Sequence, residues 1–466
     1  MSMDTSRANV FTQGPLAATL ARTALPIIFV MSMNGLLAVT DAVFLGYFAG
    51  ADALSAVTLM FPAYMLLASL ATLISSGMSS VLARKLGAGQ IEDARSSFAG
   101  AHGLCLLVAA LAMLLFLVAG SGLTRLAADG DEGIAGMAHK YLAITLLFSP
   151  LFFLLTVHGD ALRNEGRAGL MAAISLVVST ANIGFDYVVI ACLGFGVAGA
   201  ALGTGAAQVL AMTGVVVFRT RGDTPLRLQT LSAKQLTCDW ARILALGAPQ
   251  SLGFLGTAIG SAATVTALQI YAPADYETNV AAYGVVTRIL TFAYLPLLGF
   301  CQALQSMIGN NLGAGLLHRS DGVLRIGLAA AIGYCLTLQI LLTVYARQAG
   351  GIFSDAPALA EEIAHILPMI VGLYFASGPH LVIASYFQAR GKAAVAGLLS
   401  LLKPYVFFVP LVFVLPAAVG ANGIWLASPI AEGCLAVACL TLLALLARRD
   451  KARLGLFLKK MEEPGE

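Results

Sequence analysis

Short polar breaks divide this chain into about a dozen apolar blocks, each near the ~20 residues an α-helix needs to cross a ~30 Å hydrocarbon layer. No other feature limits the fold so tightly. Inside a bilayer the chain alone satisfies its backbone N–H and C=O groups, so such blocks are helices. Only 11% of residues are charged, against roughly 25% in soluble proteins, too few to cover a water-facing surface. The expected fold is an all-α polytopic membrane protein: twelve transmembrane helices in two pseudo-symmetric six-helix bundles.

Spans are expected near 24–47, 54–82, 97–120, 139–160, 168–192, 197–218, 243–270, 280–307, 323–346, 363–386, 395–416 and 421–446. Lys and Arg near span ends stay on the cytoplasmic side. Every second loop carries them: Arg84, Lys85 and Arg95; Arg163 and Arg167; Arg219, Arg221, Arg227 and Lys234; Arg319 and Arg325; Arg390 and Lys392. The tail adds Arg448, Arg449, Lys451, Arg453, Lys459 and Lys460. Intervening loops hold acids such as Asp129, Asp131, Glu132, Asp275, Glu277 and Asp355, with Arg125, Lys140 and Arg347 the exceptions. Both termini are therefore expected in the cytoplasm of a cell whose inner membrane the chain spans many times. The polar start MSMDTSRANVFTQGP lacks the pattern of a cleaved signal. The cysteines are scattered without a CxxC pair and read as small core hydrophobes. A net charge of +3 gives no argument for a nucleic-acid partner.

The second half repeats the first. LGAG occurs at Leu86 and again at Leu312, each just after the second span of its half. RNEGRAG and QARGKAA align Gly166 with Gly391; VAGAAL and GANGIWL align Gly199 with Gly423; Pro26 aligns with Pro249. The four offsets lie between 223 and 226. An even number of spans per half gives both halves one orientation, related by an axis along the membrane normal. The expected division is an N-terminal lobe over 1–218, a cytoplasmic linker over 219–242, a C-terminal lobe over 243–446 and a basic tail over 447–466.

TDAVFLGYFAGADALSA in the first span, ARKLGAG after the second, NIGFDYVV in the fifth and GFCQALQSMIGNNLGAG closing the eighth carry a resemblance. Over essentially its whole length the chain resembles the multidrug and toxic compound extrusion family, more its DinF-like prokaryotic branch than its NorM-like branch. That resemblance implies a secondary antiporter expelling organic cations against an inward flow of protons or sodium. It also implies that Asp41, Asn182, Asp186 and Thr204 match the N-lobe proton and cation site of prokaryotic members. The acids that NorM-like members carry in spans seven and ten are missing here, which argues against a C-lobe sodium site.

The residues support the same reading independently. An ionised carboxylate within a span is expensive and marks function by default. Asp41 and Asp186 lie about six residues from the same ends of their spans, hence at one depth, roughly 9 Å in at ~1.5 Å per residue. Asn182 precedes Asp186 by one turn on the same face, and Thr204 reaches a similar level. Two carboxyls, an amide and a hydroxyl so placed would hold protons or a cation, but not both comfortably. They are also hard oxygen donors, so a sodium ion at Asp41, Asn182 and Asp186 is a second option. No metal site is otherwise expected.

Glu432, in span twelve opposite Gln208 in the repeat, has Arg288 and Lys403 as candidate partners, in an internal ion pair or a substrate contact. His158 and His380 read as core polar groups. Phe153, Tyr141, Tyr283, Met33 and Met60 suit a cation pocket and helix packing equally. Pro26 starts or mildly kinks span one. The LGAG turns lack a Walker lysine, so neither a nucleotide cofactor nor an ATPase subunit is expected, and the partners are small organic cations and lipids around a monomer. Two other classes compete. A flippase of lipid-linked precursors needs a ring of basic residues where this N-lobe has acids. An intramembrane enzyme needs a nucleophile–base pair or metal spacing that the spans lack.

Overall fold

The computed structural model describes residues 9–353, 357–449 and 454–457. Asp355, Lys451, Arg453, Lys459 and Lys460, used above to set loop polarity, lie outside the described residues. Eleven helices are long and apolar enough to cross a membrane, and a twelfth span is formed by a bent pair. The helices are α1 (Leu16–Ala49), α2 (Ala51–Leu59), α3 (Phe61–Gly87), α4 (Ile91–Ala127), α5 (Glu132–Asn164), α6 (Ala168–Asp186) and α7 (Gly196–Arg221), then α8 (Trp240–Tyr271) and α9 (Tyr276–Gly313). They continue with α10 (Leu317–Val344), α11 (Ala346–Phe353), α12 (Pro357–Ile370), α13 (Tyr374–Ala389), α14 (Ala393–Leu401), α15 (Val409–Val419) and α16 (Gly423–Arg449).

Three departures from the expected spans have local causes. The second span begins at Phe61 rather than 54, because Met60 ends a separate short helix and Pro62 sits at the start of α3. Several helices outrun their apolar blocks: α4 and α9 extend past the hydrocarbon-length stretch, since hydrogen-bonded turns propagate through polar sequence. The tenth span is bent by 51° between α12 and α13. At that break the Gln339 side chain from α10 replaces the missing helical bonds. Its Nε2 donates to Gly372 O at 2.8 Å and its Oε1 accepts from Phe375 N at 2.9 Å.

Two stretches are π-helical, Tyr187–Cys192 directly after Asp186 and Leu402–Phe408 around Lys403. Both lie in the fifth span of a half. An extra residue per turn rotates the side chains that follow, a device common at functional sites.

The aligned glycines share a backbone conformation. Gly89 and Gly315 have φ of +71° and +73°; Gly166 and Gly391 have +78° and +77°. Each closes a helix with paired bonds to preceding carbonyls, Gly89 N to Leu86 O and Gln90 N to Lys85 O in the first case, Gly391 N to Gln388 O and Lys392 N to Phe387 O in the last. This left-handed cap favours glycine, which explains why LGAG recurs.

The chain forms two compact units. Among the described residues, the first comprises 9–13 and Ala21–Ser251; the second comprises Gly14–Leu20 and those from Leu252 onward. The boundary thus falls inside α8, because the start of α8 packs into the first unit. A Cβ on Gly77 of α3 would lie 1.9 Å from Ile243 O, and one on Gly247 only 1.7 Å from Leu73 O. Small residues let these two backbones touch, the usual way helices associate in lipid.

The segment between α7 and α8 is held against the same unit. Lys85 Nζ and Ser97 Oγ each donate to Asp239 Oδ2 at 2.6 Å, Arg95 Nε donates to Pro225 O at 2.8 Å, and Trp240 Nε1 donates to Gly100 O at 2.8 Å. Gly100 and Gly103 have no room for a Cβ against Cys238 O and Leu236 O. Two arginines read above as loop markers are buried instead. Arg163 donates to Asp160 Oδ1 at 2.7 Å and Ser79 Oγ at 2.9 Å, while Arg219 pairs with Glu165 and donates to Thr224 Oγ1 at 2.9 Å. Each charge is compensated by a carboxylate, the condition for burying one.

Candidate functional site

Asp41, Asn182, Asp186 and Thr204 converge within the first unit. Asp41 comes from α1, Asn182 and Asp186 from α6, and Thr204 from α7. The Asp41 and Asp186 carboxyls lie near enough for each charge to act on the other. Asn182 Nδ2 donates to Thr204 Oγ1 at 3.2 Å and to Asp186 Oδ1 at 3.5 Å. The one-turn spacing of Asn182 and Asp186 puts both on the face that meets α7. Asp186 and Asn182 are each 1% exposed. Gly203 on α7 leaves open the space that the Asp186 carboxyl fills.

Two neighbouring carboxylates repel, so such a pair favours uptake of a proton or a cation between them. Two acceptor oxygens of the cluster, Asp41 Oδ1 and Asn182 Oδ1, are buried without a hydrogen-bond partner among the described residues. Gln208 Oε1, one turn along α7 from Thr204, is likewise unpartnered. Tyr64 of α3 and Tyr141 of α5 lie within reach of the Asp41 charge. On the α2 side the chamber is roofed by Leu45, Ala53, Ile190 and Val197, all buried together, with Tyr141 and Met137 packed against them.

The remaining sequence candidates separate. Glu432 of α16 pairs with Lys403, also accepts from Ser377 Oγ at 2.7 Å and lies 2.5 Å from His380 Nδ1. Arg288, the other cation proposed as its partner, is exposed on α9 and makes no ion pair among the described residues. The apolar block places it in a span, but hydropathy does not give the helix rotation that leaves it exposed. His380 and Ser377, one turn apart on α13, complete a cluster that no spacing along the chain announces. His158 faces His102: His102 Nδ1 sits 2.7 Å from Phe98 O and the two Nε2 atoms are 3.2 Å apart. Phe153 is fully buried, and Tyr283 packs against Trp425 with ring centroids 5.9 Å apart.

Many apolar helices around a buried, charge-bearing chamber define a multi-span membrane transporter. The MatE family profile matches residues 26–188 and 253–414, once in each half. This chain belongs to that family, whose members are transporters rather than enzymes. It is similar to the "Multidrug export protein MepA" of Staphylococcus aureus, 23% identical over 448 residues that cover 94% of this chain and 96% of the relative. A protein of Shewanella oneidensis named "FAD transporter" is 24% identical over 438 residues, covering 91% and 94% of the two chains. Among solved structures, "Crystal structure of MATE in complex with MaL6" superposes with a TM-score of 0.84 at 22% identity, covering 93% of this chain and 97% of that one. "Outward-facing conformation of a multidrug resistance MATE family transporter of the MOP superfamily" gives 0.83 at 23% identity, covering 94% and 97%. At these identities the structural likeness speaks for the fold.

Proposed function

We propose that this protein is an antiporter that exports organic cations and takes protons in return, with Asp41 and Asp186 as the exchange point. The observation that carries this reading is the convergence of Asp41 with the Asn182–Asp186–Thr204 cluster, where Asp41 Oδ1 and Asn182 Oδ1 are buried without a hydrogen-bond partner among the described residues. Loss of a proton from the pair leaves two neighbouring negative charges within the spans, an arrangement that attracts a cation. Return of a proton removes the attraction and expels it. Asn182 and Thr204 hold Asp186 in position, and the aromatic rings of Tyr64 and Tyr141 suit an organic cation. The relatives named as multidrug exporters support the substrate class.

One proton descending one pH unit supplies ~1.4 kcal/mol, and each net charge crossing 100 mV about 2.3 kcal/mol. Exchange of two protons for one monovalent cation would draw on both; a one-for-one exchange draws on the pH gradient alone. The cell's inner membrane, with both termini in the cytoplasm, and a monomeric unit complete the proposal.

Sodium is a second reading. The unpartnered Asp41 Oδ1 and Asn182 Oδ1 are oxygen donors of the kind a hard monovalent cation takes. Ethidium efflux from vesicles carrying the full chain separates the two. A pH gradient alone should drive efflux, and Asp41→Asn should abolish it. Efflux driven by sodium and indifferent to pH would replace protons by sodium as the coupling ion, and efflux driven by neither would end the antiport reading.

A further inference from the structure

Not every leftover acceptor of the Asp41 chamber is a carboxylate. Asp41 Oδ1, Asn182 Oδ1 and Gln208 Oε1 are all buried without a hydrogen-bond partner among the described residues. We propose that the Asn182 and Gln208 amides make this site select cations that carry N–H groups over quaternary or fully N-alkylated cations, with Gln208 as the specificity-determining residue.

Helix register brings the two amides together. Consecutive spans run antiparallel, and Asp186 of α6 meets α7 at Gly203, where a Cβ would lie 2.0 Å from Asp186 Oδ1. Four residues back along α6 from Asp186 is Asn182; four residues on along α7 from Gly203 is Ala207, the neighbour of Gln208. The two amides therefore share a level, about 6 Å along the helix axes from Asp186. Thr204 links them. Its Oγ1 accepts from Asn182 Nδ2 at 3.2 Å, and Gln208 follows it one turn on, on the same face of α7. Thr204 is exposed and Gln208 half-buried, so a guest reaches this level.

The chemistry of the leftover atoms decides what fits. Asn182 Nδ2 donates to Thr204 Oγ1 and, at 3.5 Å, to Asp186 Oδ1, so both of its hydrogens are engaged and its oxygen is left over. An amide oxygen only accepts, and a buried acceptor left unmet keeps the full cost of its lost hydration. A guest with N–H groups meets these oxygens while its charge answers the carboxyls. A guest whose nitrogens are fully alkylated answers the charge alone and strands both amides. A site built to hydrogen-bond rejects an analogue lacking that group more sharply than an apolar pocket rejects a change in size.

The inference rests on the cation-export reading, and a matched pair of dyes separates their failures. Rhodamine 123 and tetramethylrhodamine methyl ester share one xanthylium ester skeleton and one positive charge. The ring nitrogens of the first carry hydrogens; those of the second carry methyl groups. Affinity of the purified full-length chain for each dye is read by fluorescence anisotropy in sodium-free detergent solution. Wild type should bind rhodamine 123 about tenfold more tightly or better, the worth of one or two such hydrogen bonds. Gln208→Met keeps side-chain length and helix propensity but removes the amide oxygen. It should weaken rhodamine 123 binding and bring the two affinities within about threefold. Gln208→Glu, which still accepts, should keep the preference. Equal affinities in wild type, a preference that survives in Gln208→Met, or one lost from Gln208→Glu would overturn the inference. Survival in the methionine variant would assign the difference to bulk. Efflux of both dyes from proteoliposomes under an imposed pH gradient tests the antiport reading separately. The expected preference without any efflux would fail that reading alone, and binding of neither dye would fail both.

Discussion

The carboxyl of Asp186 fills the space that a side chain at Gly203 would occupy: a Cβ on Gly203 would lie 2.0 Å from Asp186 Oδ1. Glycine at this position therefore sets how closely α6 and α7 approach, and with it where Asp186 meets Asp41. Gly203→Ala should displace the carboxyl while the helix remains intact, because alanine is the better helix former. Displacing a reacting group by ~1 Å costs up to about a hundredfold. The expected result is a correctly folded protein whose dye transport falls toward the level of Asp186→Asn. Full transport by a monodisperse Gly203→Ala protein would detach Asp186 from the mechanism.

The crossing of α3 and the start of α8 tolerates no side chain at Gly77 or Gly247. Overpacking of this kind costs roughly 1–3 kcal/mol per site, and here the clash is with backbone rather than a movable side chain. Gly247→Val should lower the thermal midpoint of the purified protein and its yield of monodisperse material. An unchanged melting profile would contradict the packing described.

The segment ahead of α8 should respond to acid. Burial alone would push the Asp239 carboxyl up, but the bonds from Lys85 and Ser97 more than offset this and hold it below the ordinary range. A depressed folded-state pKa stabilises at pH above the unfolded value, and that contribution is lost as pH falls through the folded one. Asp239→Asn should therefore raise hydrogen exchange over residues 232–240 at neutral pH, and its difference from wild type should close below about pH 4. Equal exchange in the two proteins at neutral pH would show that the ion pair does not hold the segment.

The break in the tenth span depends on one side chain from another helix. Gln339→Leu removes both bonds that bridge Gly372 and Phe375, and within a span no water takes the place of a lost backbone partner, so it should lower thermal stability. Gln339→Glu keeps the acceptor for Phe375 N and loses the donor to Gly372 O, so it should fall between wild type and leucine in thermal stability. Identical stability of all three would assign the bend to Pro368 and the turn residues alone.

Sequence reading reached the fold and the Asp41 chamber for one reason: counting residues from span ends gives depth, and depth sufficed to bring Asp41, Asn182, Asp186 and Thr204 to one level. The repeated glycines were legible because their left-handed caps are written into LGAG and into Gly166 and Gly391. What it missed depends on rotation and on long-range partners. Arg288 and Lys403 both lie in spans, yet only Lys403 turns toward Glu432. Ser377 and His380 share a helix face, which their one-turn spacing would have revealed had the helix partner been known. The π-helical stretches after Asp186 and around Lys403 leave no mark in an apolar run, and the bend at Gly372 needs Gln339, which is 33 residues away. The burial of Arg163 and Arg219 was masked by their resemblance to loop markers: Asp160 sits beside Arg163 in one polar break, while Glu165, the partner of Arg219, lies 54 residues before it.

Competition between a proton and a cation at the Asp41–Asp186 pair is most directly measured as proton release on cation binding. Tetraphenylphosphonium, which cannot titrate, is added to the purified full-length protein in weakly buffered detergent solution near neutral pH, and the released protons are counted. The expected result is about one proton per cation bound by wild type, and none from the Asp41→Asn/Asp186→Asn double variant. Saturable cation binding by wild type with no proton released, or equal release from the double variant, would contradict the exchange at these two carboxyls.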